Sequence, residues 1–137
     1  MMDPSQTFVF VDIETNGGNG PRGRCIEVAA IKVVDGEVID NYVSLVNPGT
    51  PVPYWITQLT GITNDELTHA PFFSDIADEL YRFLDGAIFV AHNVLFDYSF
   101  LRNEFAASGF AFKPKLFCTV KMSRALWPEH RGHSLEA

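Results

Sequence analysis

Cysteine is scarce in this chain. Cys25 and Cys118 are the only two, far apart and outside any CxxC spacing. That leaves no disulfide framework or paired-cysteine zinc site to organise a fold, and fits two reduced, mostly buried thiols in a cytoplasmic protein. No apolar run reaches membrane-spanning length. The opening residues, Met1-Met2-Asp3-Pro4-Ser5-Gln6, are polar and acidic, unlike a secretory signal. Positive charge is also short: ten Lys and Arg stand against seventeen Asp and Glu, a net charge of −7. A global positive field for nucleic acid is therefore absent. Internal repeats, low-complexity stretches and a glycine-rich phosphate loop ending in Lys-Ser/Thr are missing too.

What is present suits one domain with one core: 137 residues, 47% hydrophobic and 20% charged. The stretch Phe8-Val9-Phe10-Val11-Asp12-Ile13-Glu14-Thr15 reads as a central strand with apolar residues on both faces. Side chains alternate along a strand, so Asp12 and Glu14 share a face. Asn16-Gly17-Gly18-Asn19-Gly20-Pro21 ends it. Two carboxylates side by side repel unless a cation lies between them, and hard oxygen donors suit Mg²⁺ or Mn²⁺. The same residues also serve elsewhere as solvated turn formers.

Residues 24–34 and 38–46 read as two further strands, joined by the hairpin signal Asp35-Gly36. They should pair antiparallel beside the first. Residues 48–73 are rich in proline and loops, with short helical turns, one of them beginning at Asn64-Asp65-Glu66. Residues 74–84 form an amphipathic helix with Ser74 as N-cap and Gly86 as its stop. Ala87–Ala91 is a short strand, and 95–105 a helix capped by Asn93. Strand, helix, strand and helix in that order imply a parallel crossover onto the meander, an α/β mixed sheet. Phe117-Cys118 reads as a short edge strand, and 119–127 as a helix ended by Pro128. Ser134 would cap a new helix of which Leu135-Glu136-Ala137 is only the first turn. One turn cannot stand alone, so the domain, 1–137, is expected to be incomplete at its C-terminus. Lys113, Lys115, Lys121, Arg124 and Arg131 outnumber Glu129 and Glu136 in the last stretch. Such a basic strip either holds a phosphate backbone or is a solvated face.

Asp97 falls in the first turn after the strand ending at Ala91. If that strand runs parallel to the first, Asp97 joins Asp12 and Glu14 at one sheet edge, where open α/β sheets bind ligands. As a first-turn acid it also complements the helix dipole.

These motifs resemble the DnaQ-like, DEDDh-type 3′–5′ exonucleases, most nearly the proofreading epsilon subunit of bacterial DNA polymerase III. Phe10-Val11-Asp12-Ile13-Glu14-Thr15 is similar to the first exonuclease motif and Cys25–Ala30 to the strand pattern after it. Leu59–Thr63 and Ala70-Pro71-Phe72 match the middle loop, and Val90–Asp97 the second motif. Phe117-Cys118-Thr119 and Ser134–Ala137 match the lead-in to the third. The resemblance implies a ribonuclease H-like sheet and hydrolysis of nucleotides from a DNA or RNA 3′ end by two Mg²⁺ or Mn²⁺ ions, in replication, proofreading or repair. Asp12 would bridge both ions, Glu14 would help bind one, and Asp97 would support the other directly or through water. Thr15 and Asn93 would lie against the terminal nucleotide. Leu59, Thr60 and Ile62 would line its base, or pack on the core as ordinary loop residues. Partners would be single-stranded 3′ ends and DNA polymerase subunits. His92 reads as structural, and His69 and His130 as loop residues.

The third motif of that family carries a general-base His and a fourth acid, and neither lies within residues 1–137; His133 precedes the lead-in and does not replace them. A docking module on the same fold, binding nucleic acid or polymerase without cleavage, is the alternative class, and a phosphatase or nucleotide hydrolase a more distant one. A general base contributes roughly 10²–10⁴-fold in rate, so the 137-residue chain is expected to be weak or inactive on 3′-labelled single-stranded DNA with Mn²⁺. Turnover near that of a longer form carrying the third motif would refute this.

Overall fold

The computed structural model describes residues 6–18 and 23–119. Three strands open it: β1 (Thr7–Thr15), β2 (Cys25–Val34) and β3 (Glu37–Leu45). β1 pairs antiparallel with β2, and β2 with β3. Asp35 and Gly36 turn the β2–β3 hairpin at φ 53° and 77°, the left-handed pair that matches the twist of the flanking strands and that Asp-Gly adopts readily. Three helices follow, α1 (Tyr54–Thr60), α2 (Asn64–Thr68) and α3 (Phe73–Leu84), then β4 (Ile88–Ala91), α4 (Val94–Ala107) and β5 (Leu116–Cys118). β4 lies parallel to β1, and β5 parallel to β4. The sheet order is β3-β2-β1-β4-β5, so β1 is central, as the sequence suggests. The expected mixed α/β sheet, a meander followed by parallel β-α units, is borne out.

One sheet face carries the main core. Val9, Val11 and Ile13 of β1 and Val28 and Ala30 of β2 meet Phe73, Ile76, Ala77, Leu80 and Leu84 of α3, Phe89 of β4, and Leu101 and Phe105 of α4. Apolar burial at about 25 cal/mol per Å² makes this layer the principal source of stability. A smaller core of Ile26, Val52, Ile56, Ile62 and Leu67 seats α1 and α2. β1 is apolar on both faces, but only the one with the main core is covered among the described residues. Among the described residues the other face is open, with Phe10 44%, Ile31 45% and Val43 63% exposed.

Two capping expectations are corrected or refined. The N-cap of α3 lies two residues earlier than predicted, at Phe72 and not Ser74; the Asp75 carboxylate reaches back to accept the Phe72 N–H at 3.0 Å. Ser74 thus sits inside the first turn. Asn93 does occupy the N-cap position of α4, but its side chain makes no capping bond, and its carbonyl accepts from Phe96 and Asp97 N–H. α2 carries the more complete device: Thr63 accepts from Glu66 N–H, while Glu66 accepts from Thr63 N–H. The helices expected over 119–127 and from Ser134 lie outside the described residues, apart from Thr119. Among the described residues no helix is long and apolar enough to cross a membrane.

Phe105 is fully buried and touches Phe73, Tyr81, Phe110 and Phe112 ring to ring. Phe105→Ala should therefore lower the unfolding free energy by about 3–5 kcal/mol, measured by urea denaturation; a loss under about 1 kcal/mol would mean that this aromatic cluster is not the hub of the core.

Candidate active site

β1 outruns its parallel neighbour. Its pairing with β4 stops at Phe10↔Val90, and β4 itself ends at Ala91, whereas β1 continues to Thr15. A cleft between the two strands opens there, at the point where the sheet changes from antiparallel to parallel neighbours, the usual ligand position in such sheets. α4 starts just beyond β4 and delivers Asp97 into this split. The Ile13 N–H of β1 favours the charged form of the Asp97 carboxylate, while the Asp97 N–H donates to the Asn93 carbonyl at 3.3 Å.

Asp97 is only 7% exposed. Burial, then the field of Asp12, and less strongly that of Glu14, push its carboxyl up to about 7, against the pull of the backbone at Ile13. Glu14, half-buried, is also held above the usual carboxylate range, by burial first, then by Asp12 and Glu27. Asp12 itself is exposed on the open face of the sheet. The three acids singled out in the sequence are thus brought to one edge, within range of each other's charge. Among the described residues no three His, Cys, Asp or Glu side chains form a closed metal-holding group. The donor set is nonetheless all carboxylate oxygen, the chemistry that Mg²⁺ and Mn²⁺ take, and its members repel one another as they stand.

The remaining candidates are placed unevenly. Thr15 ends β1, its hydroxyl accepting from Gly17 N–H at 3.2 Å. Asn93 is exposed at the β4–α4 turn. Leu59 stands 75% exposed on α1, while Ile62 is buried in the smaller core at 6%. The Thr60 hydroxyl is engaged within its own loop, donating to Ile56 C=O and accepting from Ile62 N–H. His92 is tied to the Thr119 hydroxyl at 3.0 Å, and its carbonyl accepts from the Cys118 thiol.

Two exposed aromatic groups have no role in the sequence reading. Phe96, 44% exposed, precedes Asp97 and contacts Phe100. Trp55 of α1 lies over Gly17, where an added Cβ would stand 2.7 Å from the indole Cζ2. Gly17 also has φ 81°, so both its space and its backbone exclude a side chain. Trp55, Gly17, Gly18 and Arg24 help to line an open cleft of about 670 Å³. A second hollow of about 370 Å³, lined by Gln6, Tyr81 and Lys113, lies at the opposite end of the strands from the acids. In the sequence Phe96 and Trp55 stand beside other apolar residues, Leu95 for the one and Tyr54 and Ile56 for the other, a context that core residues share.

Residues 9–137 match the family model described as Exonuclease, RNase_T. The chain belongs to this exonuclease family. It is 36% identical over 132 residues to the 3′-5′ exonuclease DinG of Bacillus subtilis, covering 95% of this chain and 14% of that protein. It is 37% identical over 133 residues to the PolC-type DNA polymerase III of Lacticaseibacillus paracasei, covering 96% of this chain and 9% of that protein. The chain therefore spans about a seventh or less of these curated relatives. Among solved structures, exonuclease X in complex with 5′ overhanging duplex DNA superposes with a TM-score of 0.68 at 26% identity, over 90% of this chain and 66% of that one. E. coli exonuclease I in complex with a 5cy-dA13 oligonucleotide gives 0.79 at 22% identity, over 89% and 30%, a likeness of fold. The DnaQ-like resemblance read from the motifs is borne out at the level of family and ribonuclease H-like fold.

The raised Asp97 carboxyl predicts a pH dependence. Unfolded, an aspartate titrates near about 4, so between there and about 7 the folded chain holds the extra proton. The stability that this protonation provides is fully present below about pH 4 and is lost as pH rises through about 7. Asp97→Asn should flatten this fall, bringing urea midpoints at about pH 5 and about pH 8 closer together. An undiminished gap in the variant would assign the slope to other groups.

Proposed function

We propose that this chain is a 3′–5′ exonuclease domain that uses Asp12, Glu14 and Asp97 to bind divalent metal, Mg²⁺ or Mn²⁺, and to hydrolyse the phosphodiester bond at the 3′ end of a DNA or RNA strand. The observation that carries the reading is the seating of Asp97 on β1, beside two acids remote from it in sequence. Asp12, exposed at the mouth of the cleft, would hold the ions together with Glu14 and Asp97. When bound, divalent cations polarise the scissile phosphate and activate the attacking water.

The protein's own groups do the positioning. The backbone of Ile13 favours the charged form of Asp97, and the docking of α4 through Leu101 and Phe105 in the core fixes where that carboxylate stands. The exposed Phe96, Trp55 and Leu59 offer apolar surfaces on which bases stack without regard to sequence. The oligonucleotide and duplex complexes formed by exonucleases I and X favour DNA as the substrate class. Proofreading or repair, in partnership with a polymerase, is the setting that the PolC-type relatives suggest.

Titration calorimetry with Mg²⁺ and Mn²⁺ tests the metal reading. Binding by the unaltered chain should disappear in Asp12→Ala and weaken strongly in Asp97→Ala; unchanged binding in both would favour the docking-module alternative. With Mn²⁺, any label released from single-stranded DNA should come off as mononucleotide from the 3′ end, and release from the 5′ end alone would contradict the proposed polarity.

A further inference from the structure

α4 carries a second buried acid that the reaction does not use. Glu104 is 9% exposed and lies seven residues beyond Asp97, two helical turns on and therefore on the same face. Its Oε2 accepts the Cys25 N–H at 3.1 Å. The partner is informative. The β1–β2 register runs Glu14↔Glu27 and then Thr15↔Cys25, skipping Ile26 at a bulge. Ile26 turns into the smaller core, where it is fully buried. Bulges break the ladder and re-aim side chains, often beside active sites. Here the acid on α4 takes up a backbone donor at the break.

The effect passes on through hydrogen bonds. Next to Cys25, Arg24 is clipped to Asn16 by two of them: Asn16 N–H donates to Arg24 C=O, and Arg24 N–H to Asn16 Oδ1, each at 3.0 Å. Asn16 Oδ1 also accepts Gly18 N–H. Glu104 thus fixes Cys25, Cys25 carries Arg24, and Arg24 holds Asn16, two residues past Glu14. Glu104 ties α4 to β2 through Cys25, on the helix face that also carries Asp97.

We propose that Glu104 is a positioning residue for the carboxylate site: by accepting the Cys25 N–H at the bulge it sets the end of β1, and so the placement of Glu14 relative to Asp97. The inference rests on the reading of Asp12, Glu14 and Asp97 as a cation site. It assigns the role to the reach and acceptor character of the side chain and not to its charge. Gln keeps both the length and a carbonyl acceptor, whereas Asp keeps the charge but is one methylene too short.

The test is Mn²⁺ affinity of the full 137-residue chain, by calorimetry and by the electron paramagnetic resonance signal of free Mn²⁺, for Glu104→Gln and Glu104→Asp. Loss of a group that supports metal ligands costs roughly 10–100-fold in affinity. The expected order is near-unaltered binding in Glu104→Gln and at least about tenfold weaker binding in Glu104→Asp, with the circular dichroism of both retained. A general loss of stability would weaken both in step with their unfolding midpoints. Equal affinity in all three chains, or weakening in Glu104→Gln with Asp tolerated, would overturn the positioning role while leaving the cation site standing. Absence of Mn²⁺ binding by the unaltered chain would overturn the site and the inference together.

Discussion

A carboxylate held away from water at the edge of the sheet governs the arrangement of this site. Asp97 is buried beside the backbone of Ile13, which favours its charge. A buried acid with so little compensation is an arrangement proteins rarely sustain. Burial and the Asp12 field favour the protonated form. The helix that bears it must then stay docked, and α4 is docked twice, by Leu101 and Phe105 in the core and by Glu104 at β2. Stability of the fold and readiness of the site are opposed at this point: packing brings the charges together, and the charges resist it.

The opposition is characteristic of sites that act on phosphates. A net charge of −7 and a cleft of like charges would repel a polyanion. In the proposed reading bound divalent cations would reverse the local sign, which makes them an electrostatic condition for approach. The exposed Phe96, Trp55 and Leu59 would add attraction that does not depend on charge.

Much of this was legible in the sequence because the signals were local. Alternation along β1 put Asp12 and Glu14 on one face; Asp35-Gly36 specified the hairpin; a strand directly followed by a helix placed Asp97 at the same edge as β1. Other features were hidden because they are settled over long separations. Glu104 looks like any solvated helix acid, and only the bulge opposite Glu14 makes its burial sensible. Ile26 reads as one more strand residue, although it leaves the ladder for the second core. Ser74 has the chemistry of a cap, but Asp75 reaches Phe72 first and starts the helix earlier. Ile62, in a loop without periodicity, is drawn inward by Val52, Ile56 and Leu67, contacts that no window of sequence contains.

The register between β1 and β4 bears on how the domain assembles. The meander forms between near neighbours in the chain, through a two-residue turn. Phe8 finds Ile88 only after the whole intervening segment has been gathered in, and contacts of such sequence separation are slow to close. Asp97 lies beyond even that closure. Asp12 and Glu14 therefore lie in the part of the sheet whose strand pairing is local, and the third acid joins them only with the parallel half of the fold.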